Sequence, residues 1–335
     1  DKEKEKHRRS AAGQARLDLE KGDSVEEMIG LPSRLLVLSQ RRTYSVRTPD
    51  MVDPDLAHAN VPWERCFLLP YGIRDSIVAR TLVHIGDTAG KVGIEEEKLL
   101  RINDVAFEVL MSVASMTAIK ERFDKQQAEI IEFLDPDIDD IVRGASSKTI
   151  HTIPLLALDF RTFIFEAKRA ASLNTRLFDI LLGMKVKDGH FHKLLHLSLK
   201  RFGEEHQVTQ LLKNSERWIE QLIDMRNAIE HPKNDDYVEV SNFSLAPEGG
   251  IYAPHATFEN PKYDTLKFNV EEMLSSFIES VLNLFEQFSS CLLVHSGVSN
   301  FVQGVMCIPD EELDERRPVR YKLLWNLPFE RSEQR

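Results

Sequence analysis

The chain has 335 residues, 42% of them hydrophobic and 29% charged, with a formal net charge of −11. Those proportions suit a soluble globular protein of one large or two ordinary domains. The acidic balance excludes a broad grip on a nucleic-acid duplex, which normally needs a net basic surface, and leaves room only for a small, focused anion site.

No continuous run approaches the ~18 apolar residues that would span a membrane. Asp1-Lys2-Glu3-Lys4-Glu5-Lys6 has no apolar segment behind it of the signal-peptide kind. Cys66, Cys291 and Cys307 stand alone, with no pair at metal-ligand spacing. The expectation is a cytoplasmic protein with no membrane partner, no metal and no cofactor.

In chain order, residues 1–27 read as a charged arm. From Ile29 to Gly93 the text is broken by Pro32, Pro49, Pro54, Pro62 and Pro70, and one amphipathic piece runs from Ser76 to Ile85. Gly86-Asp87-Thr88-Ala89-Gly90-Lys91 falls short of a phosphate-binding loop because Val92 follows the lysine, and it reads as an ordinary loop. Leu99, Ile102, Ala106, Val109 and Val113 predict one long helix or two consecutive ones over Ile94 to Leu134. Asp135-Pro136-Asp137-Ile138-Asp139-Asp140 lacks the glycine and terminal glutamate of a calcium loop and reads as capping. Gly144-Ala145-Ser146-Ser147 reads as a linker.

Beyond it, Leu158, Phe163, Ala167, Ala170, Leu173, Leu177, Ile180 and Leu181 define the inward stripe of a helix opened by Pro154. Lys185 to Gly189 is a turn, and helices follow at about His192 to Phe202 and His206 to Glu230. Tyr237 to Phe268 reads as a β-hairpin insertion. Val270 to Val294 carries the strongest helical periodicity in the chain. The fold expected is mainly α: a loop-rich helical region at 28–145, an antiparallel helical bundle at 146–300 with an insertion at about 237–268, and an extension at 301–335.

Arg226-Asn227-Ala228-Ile229-Glu230-His231-Pro232 closes the helix that ends at Glu230. An arginine can hold a phosphate and a nearby histidine can carry a proton near neutral pH. Arg226 follows Leu222 by four residues and Ile223 by three, so the apolar stripe carries it toward the core or a partner surface. Asn227 precedes His231 by four residues and shares its face. Pro232 disfavours helical geometry at His231. On an ideal helix Arg226 and His231 would point ~140° apart, so the helix must unwind at the histidine or another surface must complete the site.

The spacing alone is weak, because Arg201-Phe202-Gly203-Glu204-Glu205-His206 repeats it. With its asparagine and helical context, the segment resembles the R-N-x-x-x-H signature of the HEPN superfamily over roughly residues 150–296. That superfamily includes metal-independent ribonucleases and non-catalytic nucleotide- or RNA-binding modules. The resemblance implies a homodimer with the site at the seam, an RNA or nucleotide partner, and a toxin or phage-defence setting with an antitoxin-like protein partner. His231 would be the acid/base, Arg226 the phosphate stabiliser and Asn227 the orienting group, and the products would be 2′,3′-cyclic phosphates.

Two other readings stay open, a binding module without catalysis and a structural helical protein. Arg226 and Glu230 are spaced for an ordinary ion pair with Asp224 nearby, and His231 can serve as a cation at a helix C-terminus. A buried Arg226–Glu230 pair with His231 facing solvent would favour the structural reading. His190, His192 and His196 offer one pair at chelating spacing, but no third ligand completes it.

Overall fold

A computed structural model describes residues 17, 19–53, 55, 63–133, 150–186, 191–246, 250–298 and 302–325. The expected linker at 144–147, the acidic run at 135–140 and His190 lie outside the described residues. The chain divides into two compact units, residues 1–107 with 293–335 and residues 108–292.

The mainly α expectation is wrong. Of the described residues, 56% are helical and 22% lie in strands, and the 11 strands form antiparallel sheets. Four of them form one sheet in the first unit: β1 (Val25–Leu31), β2 (Arg34–Ser39), β3 (Thr43–Arg47) and β4 (Glu64–Leu69), hydrogen-bonded in that order. The prolines that made this region look irregular punctuate the strands. Pro32 sits in the tight turn between Leu31 and Arg34, and Pro70 follows β4 directly. Pro49 opens a short helix, α1 (Pro49–Val52). A proline lacks the N–H that a ladder needs but is at home in a turn or a first helical residue.

The two central strands lack the alternation of a half-solvated sheet: β2 is buried at Leu36, Val37 and Leu38, and β3 from Thr43 to Val46. Val37, Tyr44 and Val46 form one cluster with Leu17, Leu19, Leu35 and Trp63 against it. Strands covered on both faces read as continuous apolar text, which periodicity cannot separate from helix.

After the sheet, α2 (Ser76–Val78) passes through a π-helical turn, Ala79–Val83, into α3 (His84–Val92). The stretch Gly86 to Lys91, expected to be a loop, is therefore helical. Gly93 ends α3 at a φ of 75°, in the left-handed region that favours glycine. Further along, α4 (Glu96–Phe133) is one continuous helix with Ile102, Ala106, Val109 and Val113 fully buried. The first unit closes with the hairpin of β10 (Val302–Cys307) and β11 (Tyr321–Trp325). Between those strands, Arg317 reaches Glu27 at 2.9 Å and Asp87 at 3.2 Å.

In the second unit, α5 (Leu156–Leu182), α6 (Phe191–Phe202), α7 (Gln207–Glu230) and α8 (Val270–Ser296) carry most of the core. Phe160, Phe163, Phe178, Phe285 and Phe288 are buried, with Phe178 and Phe288 stacked at 6.4 Å. The stripe of α5 runs from Phe163 to Leu181 as expected, but Leu158 in the first turn is exposed. The insertion is a sheet rather than a single hairpin: β5 (Tyr237–Ser241), β8 (His255–Asn260) and β9 (Tyr263–Asn269) pair in the order β5-β8-β9. A two-residue ladder, β6 (Ser244–Leu245) with β7 (Ile251–Tyr252), accompanies it.

Two helices, α4 and α8, are long and apolar enough by composition to cross a membrane. In each, 61% of the most apolar window is buried inside the protein, which is how a core helix of a soluble protein also scores. Neither is an uninterrupted apolar run.

Candidate functional site

The end of α7 is set by local chemistry. Ile219, Leu222, Met225 and Ala228 are its buried stripe. That stripe runs past Arg226, which sits half-exposed at its edge rather than on it as the sequence predicted. Helical geometry stops at His231, whose φ of −133° and ψ of 60° precede Pro232. Its backbone N–H still donates to the Asn227 carbonyl at 2.8 Å. The chain thus turns off the helix axis with the imidazole on the outside, 78% exposed.

This turn removes the angular obstacle that an ideal helix imposes. Arg226 Nη1 lies 2.5 Å from Glu230 Oε2, and His231 Nε2 lies 3.8 Å from the same oxygen. One carboxylate oxygen therefore gathers the arginine and the histidine. Asn227 serves the arginine rather than the imidazole, accepting from Arg226 Nη1 on its side-chain oxygen at 3.2 Å. The pair of Arg226 and Glu230, 31% and 26% exposed, is half-buried, so the structure meets the condition for a structural ion pair in part and leaves His231 to solvent in full.

Asp224, the other carboxylate near Arg226 in sequence, is taken elsewhere. It accepts from Lys262 Nζ and from the Tyr263 hydroxyl, each at 3.0 Å. Its hydrogen bond raises the pKa of Lys262, and burial, with Asp224 second, pushes Tyr263 up to about 12. These bonds tie the turn between β8 and β9 to α7. The sheet stays beside the helix end without enclosing it, since His231 remains open.

From α5, Phe165 presents its ring to the site. The Arg226 guanidinium lies 5.7 Å from the ring centroid and the Arg161 guanidinium 5.3 Å from it. An aromatic face steers a guanidinium without cancelling its charge, unlike a carboxylate. Nothing in the sequence marked Arg161 or Phe165, because the approach of α5 to α7 is a tertiary fact.

The look-alike pair separates cleanly. His206 is the N-cap of α7, accepting from Val208 N–H on Nδ1 at 3.2 Å, and its ring stacks on Phe202 at 4.5 Å. That histidine is committed to capping. His192 and His196 are both exposed on α6. Among the described residues no group of three or more His, Cys, Asp and Glu side chains is placed to hold a metal ion. Cys66 and Cys307 are exposed, while burial pushes the Cys291 thiol up to about 12.

A cleft of about 490 Å³ in the first unit is lined by Glu26, Gln40, Ile73, Arg74, Asp314, Arg316 and Arg317. It contains none of the motif residues. Volume and chemistry disagree here, and the chemistry is the better guide, because the cleft mixes both signs of charge and burial raises the pKa of its neighbour Glu27 against the pull of Arg317. No family model matches the chain, and no curated protein or solved structure matches it either.

Proposed function

We propose that the end of α7 is a phosphodiester site of HEPN type that cleaves RNA without a metal ion. The observation that carries the reading is the shared oxygen: Arg226 and His231 both face Glu230 Oε2 at an open surface. A phosphate oxygen taking the place of that carboxylate would meet the guanidinium and the imidazole together. Arg226 offers a planar donor fork suited to phosphate, with Asn227 fixing its orientation.

In the cleavage step the ribose 2′-oxygen attacks phosphorus as its proton leaves to a base, and the P–O5′ bond breaks as O5′ gains a proton. His231 fits either transfer, and Arg226 neutralises the charge that builds on the phosphorane. Each protomer carries one such histidine, so a homodimer with two helix ends facing one cleft supplies both base and acid. The small size of the site reconciles RNA cleavage with a net charge of −11.

The test is incubation of the purified wild type and His231→Ala with total RNA in EDTA, followed by end-group analysis. Cyclic-phosphate ends that fall about 10²–10⁴-fold in the variant are expected. Retained cleavage in a clean His231→Ala preparation removes the histidine from the reaction. The Arg226–Glu230 pair, with His231 in solvent, favours a second reading, a structural helical protein, and RNA that is neither cleaved nor bound selects it.

A further inference from the structure

Arg161 lies on α5, one turn before Phe165. Arg122 is bonded to Asp159, Arg169 and Arg176 to Glu108, and Arg226 to Glu230. Arg161, like Arg201 and Arg217, is exposed and makes no ion pair among the described residues; what sets it apart is an aromatic contact. Its recorded contact is the Phe165 ring, which it shares with Arg226. Of the two guanidiniums at this ring, Arg226 has a carboxylate partner in Glu230 and Arg161 makes no ion pair among the described residues. Such a pair is built for a ligand that brings more than one negative charge.

The same face continues along the two helices. One turn beyond Phe165 on α5 and before Arg226 on α7, Lys168 stands at the edge of a narrow groove floored by Ala171, Leu222 and Ile223. Arg161, Phe165 and Lys168 thus follow one another at one-turn steps along α5, with Arg226 of α7 at the ring between the two α5 cations. That sequence of charges follows a flexible polyanion better than a single small anion. A rigid duplex, by contrast, needs the broad basic surface that this acidic chain lacks.

We propose that Arg161 binds the phosphate next to the scissile one in single-stranded RNA, and that Phe165 is a positioning residue that aims Arg161 and Arg226 at successive phosphates. This deepens the preceding reading and rests on its choice of RNA, but it concerns binding and does not need cleavage to occur.

The experiment is a fluorescence-anisotropy titration of a labelled single-stranded RNA oligonucleotide with the full chain carrying His231→Ala, at several salt concentrations in EDTA. Adding Arg161→Ala is expected to weaken binding about five- to tenfold and to lower the slope of log affinity against log salt by about 0.7, the share of one phosphate contact on a single strand. Phe165→Leu is expected to weaken binding while leaving that slope unchanged, because it misdirects charges without removing one. Circular dichroism checks that each variant is folded. An unchanged affinity and slope in Arg161→Ala overturns the proposal, as does equal binding of duplex RNA or no binding of RNA at all. Failure of the catalytic reading looks different: RNA still binds and Arg161 still matters, but wild type leaves no cyclic-phosphate ends.

Discussion

Arg80 and His84 in the first unit and Arg226 and His231 in the second are the same two residue types at nearly the same spacing, in opposite surroundings. Arg80 is 2% exposed and His84 3%, locked across the π-helical turn that joins α2 to α3. His231 hangs in solvent at a helix end. Burial, with the Arg80 charge second, depresses the pKa of His84 to about 3, so that imidazole is neutral at physiological pH and is no use as a proton carrier. Proton chemistry therefore belongs to the pair that the fold leaves outside, and rigidity to the pair that it encloses.

The largest effect should come from the arginines. Arg80→Ala is expected to cost about 3–5 kcal/mol in urea unfolding, because it empties space in the core and strands the groups that met a buried charge. Arg226→Ala should cost less than about 1 kcal/mol, as half-exposed ion pairs do. Equal losses would erase the contrast.

Acid provides the next test. His84 has a folded pKa of about 3 against an ordinary value of 6.5, so below 6.5 the unfolded chain binds the proton that the folded one refuses. Stability of the first unit should be unaffected by this group above that pH. It should then fall by up to about 1.4 kcal/mol per pH unit as the pH drops toward 3. His84→Leu should flatten that slope, and an unaltered slope would assign the acid sensitivity to other groups.

Glu230→Gln should have the smallest effect on stability, within about 1 kcal/mol. It removes the carboxylate that occupies Arg226 and His231, and on the proposed reading it should raise affinity for single-stranded RNA about fivefold by lifting an opposing charge. Weaker binding in that variant would make Glu230 part of the ligand site rather than its competitor.

The second unit was the more legible of the two. Apolar residues at helical spacing announced α5, α7 and α8 because helical hydrogen bonds close within four residues, so the pattern is written locally. The four-stranded sheet of the first unit was not legible, because β2 is buried on both faces and the prolines at its turns read as breaks in a loop-rich region. At the site, Asn227 was expected to serve His231 and instead fixes Arg226, while Arg161 and Phe165 carried no sequence signal at all.

What the chain determined by itself was the arginine, asparagine and histidine at the close of a helix, and the break in that helix at His231, since Pro232 excludes helical backbone before it. Tertiary structure alone decided what those groups face. Lys262 and Tyr263, nearly forty positions downstream, draw Asp224 away, and Phe165, some sixty positions upstream, collects two guanidiniums. Backbone geometry is governed by neighbours in sequence, whereas burial and charge pairing are governed by neighbours in space, and the chemistry of an arginine or a histidine depends on the second.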